Sequence, residues 1–233
     1  MKKIITGLLL LVSLNTFAQF NQCLDYFPNK QIPVVDQIGR DLCFDSFAVL
    51  YSAATKKPIY AVERLNRERL QIKVDRKGNQ FYEEARLPKT ERATLADYKG
   101  SGYDRGHNAP AGDMPNPSAM AQSFSLANIM PQAHENNRGV WAKAVEQATR
   151  KYVIRASGDV YVFTGSVGKI GTLGQSKVVI PSHLFKLIYD PQKNRAWAYW
   201  VENTNNAKMS PPITYEQLVQ YTGIDFKLGK VNR

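Results

Sequence analysis

Short apolar runs separated by turn residues limit what this chain can become. Residues 45–52 and 56–64 are rich in apolar and aromatic side chains on either side of Thr55-Lys56-Lys57-Pro58, the pattern of a β-hairpin. Residues 160–165 form a continuous apolar run of strand length. Residues 178–180 and 184–189 follow, and 195–201 comes after the turn Asp190-Pro191-Gln192-Lys193-Asn194. Strands this short, joined this closely, pair through tight turns. The predicted fold class is α+β, a central, mostly antiparallel sheet flanked by helices.

The remaining segments fill in around that sheet. Residues 118–124 and 215–222 read as short helices. Residues 138–152 have apolar side chains at 141, 144, 145, 148 and 152, which is helical spacing, with an asparagine as the candidate N-cap. Residues 103–108, after Gly100-Ser101-Gly102, read as a short strand entering a loop. Residues 126–130 read as a second short strand, and 71–73 add a little more. Residues 86–98 are charged and turn-rich, the pattern of a surface loop. Residues 19–41, with Pro28 and Pro33, read as an irregular arm.

The first eighteen residues have a different character. Lys2 and Lys3 precede an apolar run over residues 4–14, then Thr16-Phe17-Ala18. This is the layout of a cleaved signal peptide, and it predicts a periplasmic or secreted protein without stable membrane insertion. Residues 19–233 then form a single domain with its core over about 45–202. The formal charge of +11 favours anionic partners: nucleic acid, anionic lipid or anionic polysaccharide. Cys23 and Cys43 are the only cysteines, and an even count in an exported chain predicts one disulfide. Their spacing, and that of His107, His134 and His183, does not suit a zinc site.

Two clusters carry chemistry. One is Tyr103-Asp104-Arg105-Gly106-His107-Asn108-Ala109-Pro110. The other is Asn128-Ile129-Met130-Pro131-Gln132 with Asn136-Asn137-Arg138-Gly139-Val140-Trp141. A histidine accepts protons near neutral pH. An arginine pairs with phosphate oxygens. An asparagine carbonyl suits a hard cation that keeps most of its waters. Taken singly, each residue has an ordinary structural use, and together they leave several chemistries open.

The two clusters, with the flank Ala96-Asp97-Tyr98-Lys99, resemble the paired signatures of the DNA/RNA non-specific endonuclease family. The likeness runs over about residues 47–201. It implies a ββα-metal active-site motif and hydrolysis of DNA and RNA phosphodiesters with Mg²⁺, for which Mn²⁺ is a substitute. Products would carry 5′-phosphate ends. By the resemblance, His107 matches the general base, Asn137 the metal ligand, Arg105 a phosphate-binding arginine and Asp104 a supporting aspartate. Asn128 matches an asparagine that ties the histidine loop to the metal loop. Arg86 and Arg138 are weaker candidates for substrate contact. The phosphate backbone of DNA and RNA is the implied partner. The sequence leaves open whether the chain is a monomer or a homodimer, and a non-catalytic nucleic-acid binder is the competing reading.

One departure from the family pattern has a geometric consequence. The family carries a glutamate four residues after the motif tryptophan, where this chain has Val145; its glutamate is Glu146. A regular α-helix turns about 100° per residue, so Glu146, nine residues after Asn137, would point about 180° away from it. The expectation is a solvated Glu146 and a buried stripe of Trp141, Ala144, Val145 and Ala148. A π-bulge is the alternative that would bring Glu146 back toward Asn137.

Overall fold

The computed structural model describes residues 20–232. Among them are strands β1 (Arg40–Cys43), β2 (Ala48–Ser52), β3 (Lys57–Leu65), β4 (Tyr103–His107), β5 (Ile129–Ala133), β6 (Val160–Val167), β7 (Gly171–Leu173), β8 (Val178–Ile180), β9 (His183–Asp190) and β10 (Arg195–Glu202). The helices are α1 (Arg67–Gln71), α2 (Leu95–Tyr98), α3 (Pro117–Ser123), a π-helix (Asn136–Glu146), α4 (Gln147–Arg155) and α5 (Tyr215–Thr222). The predicted hairpin forms as β2 and β3. The main sheet has the order β1-β2-β3-β6-β9-β10, antiparallel throughout. Two small antiparallel pairs, β4-β5 and β7-β8, stand apart from it.

Alternation along the strands gives the sheet two apolar faces. Phe163, Phe185, Leu187 and Ala198 bury one face under the N-terminal arm and α5, with Phe20, Phe27, Leu218 and Phe226. Val162 and Ile188 turn the other way and meet Val153 of α4, while Leu184 and Val201 meet Trp141 and Val145 of the π-helix. Cys23 and Cys43 are joined, tying the arm to the end of β1. The arm itself is a series of 3₁₀ turns rather than formless chain.

Several local readings need correction. Residues 71–73 do not form a strand; the side chain of Asn66 accepts the amide of Arg69 and caps α1 just before them. Residues 86–98 are not all surface loop. Thr94 and Asp97 close a reciprocal capping box that starts α2, and Leu87, Ala93 and Tyr98 are buried. The second short strand begins at Ile129, because Ser125 caps a 3₁₀ turn over Leu126–Asn128. The helix expected over 138–152 is a π-helix followed by α4. Asn137 lies inside it and caps nothing.

Cys23 and Cys43 are 20 positions apart in sequence, and closing a loop of that size stabilises by about 3 kcal/mol. Cys23→Ala/Cys43→Ala should therefore lower Tm by roughly 6–12 °C in calorimetry, taking about 2–4 °C per kcal/mol for a chain of this size. An unchanged Tm would show that the arm is held by packing alone.

Candidate functional site

β4, β5 and the π-helix make a ββα unit. Strands β4 and β5 pair His107 with Ile129 and Asp104 with Gln132. Between them Gly106 lets Gln132 lie flat across the pair, since a Cβ there would stand 2.1 Å from Gln132 Oε1. Gln132 in turn donates to Asn136 Oδ1 at 2.8 Å, and Asn136 donates to the carbonyl of Glu202 at 2.6 Å. The unit is thus bolted to β10 at the point where the π-helix begins.

The cleft at this unit is lined by His107, Asn137, Glu146 and the guanidinium groups of Arg76, Arg105, Arg138 and Arg150. His107 is half-buried, its ring wedged between Phe81 at 5.4 Å and Phe124 at 5.2 Å. Its Nε2 is buried and makes no hydrogen bond. Burial, with the nearby Arg76 charge, pushes its pKa down to about 3, so the ring is neutral at physiological pH. The Arg105 guanidinium lies over the Phe81 ring at 4.6 Å, while the residue as a whole stays exposed.

Asp104 is the junction between the strands and the helix. Its carboxylate accepts from Asn137 Nδ2 at 2.9 Å, Arg138 Nε at 3.0 Å and His134 Nδ1 at 3.1 Å. Burial pushes its pKa up, but these hydrogen bonds outweigh it and hold the carboxyl below its ordinary range. A carboxylate accepts and does not donate, so it dictates which end of the Asn137 amide faces it. The amide nitrogen is held, and Oδ1 is left as an oxygen donor.

Glu146 is where the helix expectation fails. In the π-helix the bonds run i→i+5; the amide of Gln147, just past its end, still donates to Ala142, five residues back. That winding advances roughly 82° per residue, so nine residues return to within about 20° of the starting direction. Glu146 therefore faces the same cleft as Asn137 and is not a solvated charge; its side chain is only 15% exposed. The buried stripe is accordingly Trp141, Val145, Thr149 and Val153, one residue in four, rather than the predicted set with Ala144 and Ala148. Burial raises the Glu146 pKa, against the pull of Lys186 and Arg150.

Of the other candidates, Asn128 does not reach the cleft. It is fully buried, accepting from the Ala109 amide and donating to the carbonyls of Ala109 and Ser123, each at 2.9 Å. It clamps the loop after His107 to the end of α3, not to the metal loop. Arg86 is occupied elsewhere: it forks onto Glu84, donates to the Cys43 carbonyl and lies 4.3 Å over Phe44. Arg76 and Arg150 take the place expected for it. Arg76 sits in an irregular stretch with no periodic signal. Arg150 is positioned by Asp113 and by Glu146 one turn back, at 3.4 Å.

The donor set decides what cation the cleft suits. Asn137 Oδ1 and the Glu146 carboxylate are hard oxygen donors. No group of three His, Cys, Asp or Glu side chains that could hold a metal occurs among the described residues. Two such oxygen donors lining one cleft suit a hard cation that keeps most of its waters.

Residues 29–232 match the model of the DNA/RNA non-specific endonuclease family. The mitochondrial nuclease EXOG of Xenopus laevis is 38% identical over 159 residues, 63% of this chain and 44% of that one. The mitochondrial endonuclease G of Homo sapiens is 34% identical over 157 residues, 62% of this chain and 52% of that one. The aligned part spans about half the length of these relatives. A solved structure of the EndoG/EndoGI complex superposes with TM-score 0.77 at 23% identity, over 91% of this chain and 92% of that one, and shares the fold. The periplasmic or secreted location expected from residues 1–18 is corrected by these relatives, which are mitochondrial proteins. Those residues also lie outside the described part of the chain. No helix among the described residues is long and apolar enough to cross a membrane.

The His107 geometry makes a testable statement about protonation. The folded-state pKa is depressed below the ordinary histidine value of about 6.5. The unfolded chain therefore takes up a proton before the folded one does, and the stability held by the neutral ring is present above pH 6.5 and lost as pH falls toward 3. Nitrogen chemical shifts of the His107 ring should show the neutral form at pH 5.5. Half-protonation near pH 6.5 in the metal-free protein would overturn the buried, unpartnered picture.

Proposed function

We propose a function from one premise: this chain belongs to the DNA/RNA non-specific endonuclease family. It hydrolyses phosphodiester bonds of DNA and RNA. The observation that carries this reading is the convergence in one cleft of neutral His107, its Nε2 unpartnered, with Asn137 and four guanidinium groups.

Arg76, Arg105, Arg138 and Arg150 hold the phosphate by its oxygens and offset the charge that grows on it during attack. His107 takes a proton from water, and the water oxygen attacks phosphorus. The bond to the 3′-oxygen breaks, that oxygen takes a proton from solvent, and the phosphate stays on the 5′ end. The bound phosphate counters Arg76, so His107 is more basic with substrate in place than without it. Phe81 and Phe124 fix the ring plane, and Asn128 fixes the loop that follows. Asp104 orients Asn137, and Asn137 with Glu146 would hold Mg²⁺, or Mn²⁺ in its place. That ion supplies Lewis-acid stabilisation of phosphate charge. Contacts to the backbone leave base sequence unread and need no 2′-hydroxyl.

Plasmid nicking should stop in EDTA and return with Mg²⁺. His107→Ala should lower kcat about 10³-fold while DNA affinity, measured by anisotropy, survives. Near-normal turnover in that variant would remove His107 from the reaction.

Glu146→Gln tests the helix winding directly. A carboxylate beside the cation site should matter, so kcat should fall a hundredfold or more, about 2.7 kcal/mol in barrier, with unchanged circular dichroism. A change below threefold would mean that Glu146 plays no part.

A further inference from the structure

A second pocket, of about 180 Å³, lies on the α5 side of the sheet and shares no residue with the cleft of His107. It sits among the start of β3, the end of β6 and the C-terminal end of α5, and its lining includes Thr55, Lys57, Ser166 and Tyr221. Lys57 is 4% exposed. Its ammonium donates to the carbonyl of Ser166 at 3.0 Å and, more weakly, to its neighbour Pro58 at 3.4 Å. None of the residues lining the pocket is acidic. Burial pushes the Lys57 amine down to about 8, with no opposing charge acting on it. Thr55 Oγ1 and Ser166 Oγ are buried as well and make no hydrogen bond.

A buried ammonium without a counter-charge is costly, and so is a buried hydroxyl without a partner. Here one such cation and two such hydroxyls belong to a single small pocket. A tetrahedral oxyanion, which carries several acceptor oxygens, is the ligand chemistry that matches an ammonium and two hydroxyls. The mouth adds a further clue to the ligand. Tyr221 is 48% exposed, packs 5.0 Å from Trp200, and Trp200 stacks 5.0 Å from His183. A ladder of aromatic faces beside an anion pocket suits a planar base carrying a phosphate.

We propose that this pocket is a second phosphate site, in which Lys57, Thr55 and Ser166 bind the phosphate group of a free phosphate ion or of a nucleotide. It is independent of the reaction assigned to the His107 cleft.

The test is a calorimetric titration of the full chain in EDTA with inorganic phosphate and, separately, with adenosine 5′-monophosphate. The intact protein should show a phosphate site in addition to the arginine cleft. Lys57→Met should remove it while plasmid nicking in Mg²⁺ stays within about twofold. Ser166→Ala and Thr55→Val should each weaken it about tenfold, which is one hydrogen bond to a charged group, and they carry the test if Lys57→Met does not fold. Tighter binding of the nucleotide, with the excess lost in Tyr221→Ala, assigns the ligand as a nucleotide; equal binding assigns free phosphate. Phosphate stoichiometry and affinity unchanged in all three pocket variants would overturn the proposal, as would failure of either ligand to bind outside the arginine cleft.

Discussion

The i→i+5 winding of residues 136–146 is the constraint on which the site depends. It is an uncommon conformation, and it persists only where the surroundings fix it. Here they do so at its N-terminal end and underneath. Asn136 is tied to Gln132 and to the Glu202 carbonyl, Asn137 and Arg138 are tied to Asp104, and Trp141 is buried against the sheet at 1% exposure. A regular α-helix in the same place would keep Asn137 and lose Glu146 from the cleft. With the wider winding, Asn137 and Glu146 stay on one side of the helix.

Electrostatics around the cleft follow from the same placement. Four guanidinium groups and the Glu146 carboxylate face it, and two further carboxylates close by are committed: Asp104 to Asn137, Arg138 and His134, and Asp113 to Arg150. The cleft is therefore positive at its rim and has the neutral His107 ring at its wall. His107 avoids protonation because its ring is packed between two aromatic side chains and faces Arg76. The same packing that costs the charged ring its solvation keeps the ring neutral. Beneath the cleft, Glu63 and Lys186 are each 1% exposed, and burial moves their pKa values toward each other, Glu63 up and Lys186 down.

The sheet was legible in the sequence because its signals are local. The runs that became β2, β3, β6, β8, β9 and β10 are bounded by turn residues, and alternation along them tells which side is buried. Helix α5 was legible for the same reason, with Thr214 and Gln217 forming its capping box and Gly223 ending it in the left-handed region. The short pieces were not. Helices α1 and α2 are single turns started by one cap each, too brief for periodicity to show. Arg76 gave no signal, since it lies in an irregular stretch and matters only through what the fold sets beside it. Arg86 looked a suitable phosphate ligand by type, yet Glu84, two residues away, takes its guanidinium.

The sequence by itself determined the chemistry on offer: a histidine, an asparagine and arginines in two ordered clusters, on a chain whose turns force an antiparallel sheet. Residue type and order are local properties, and no folding is needed to read them. Only the tertiary structure decided which of those groups meet. It turned Glu146 into the cleft, sent Arg86 out of it, brought Arg76 and Arg150 in, and reduced Asn128 to a clamp. The reason is that helix winding and loop path are set by partners distant in sequence, such as Asn136 on Glu202 and Asp104 on Asn137. A window along the chain sees only one member of each such pair.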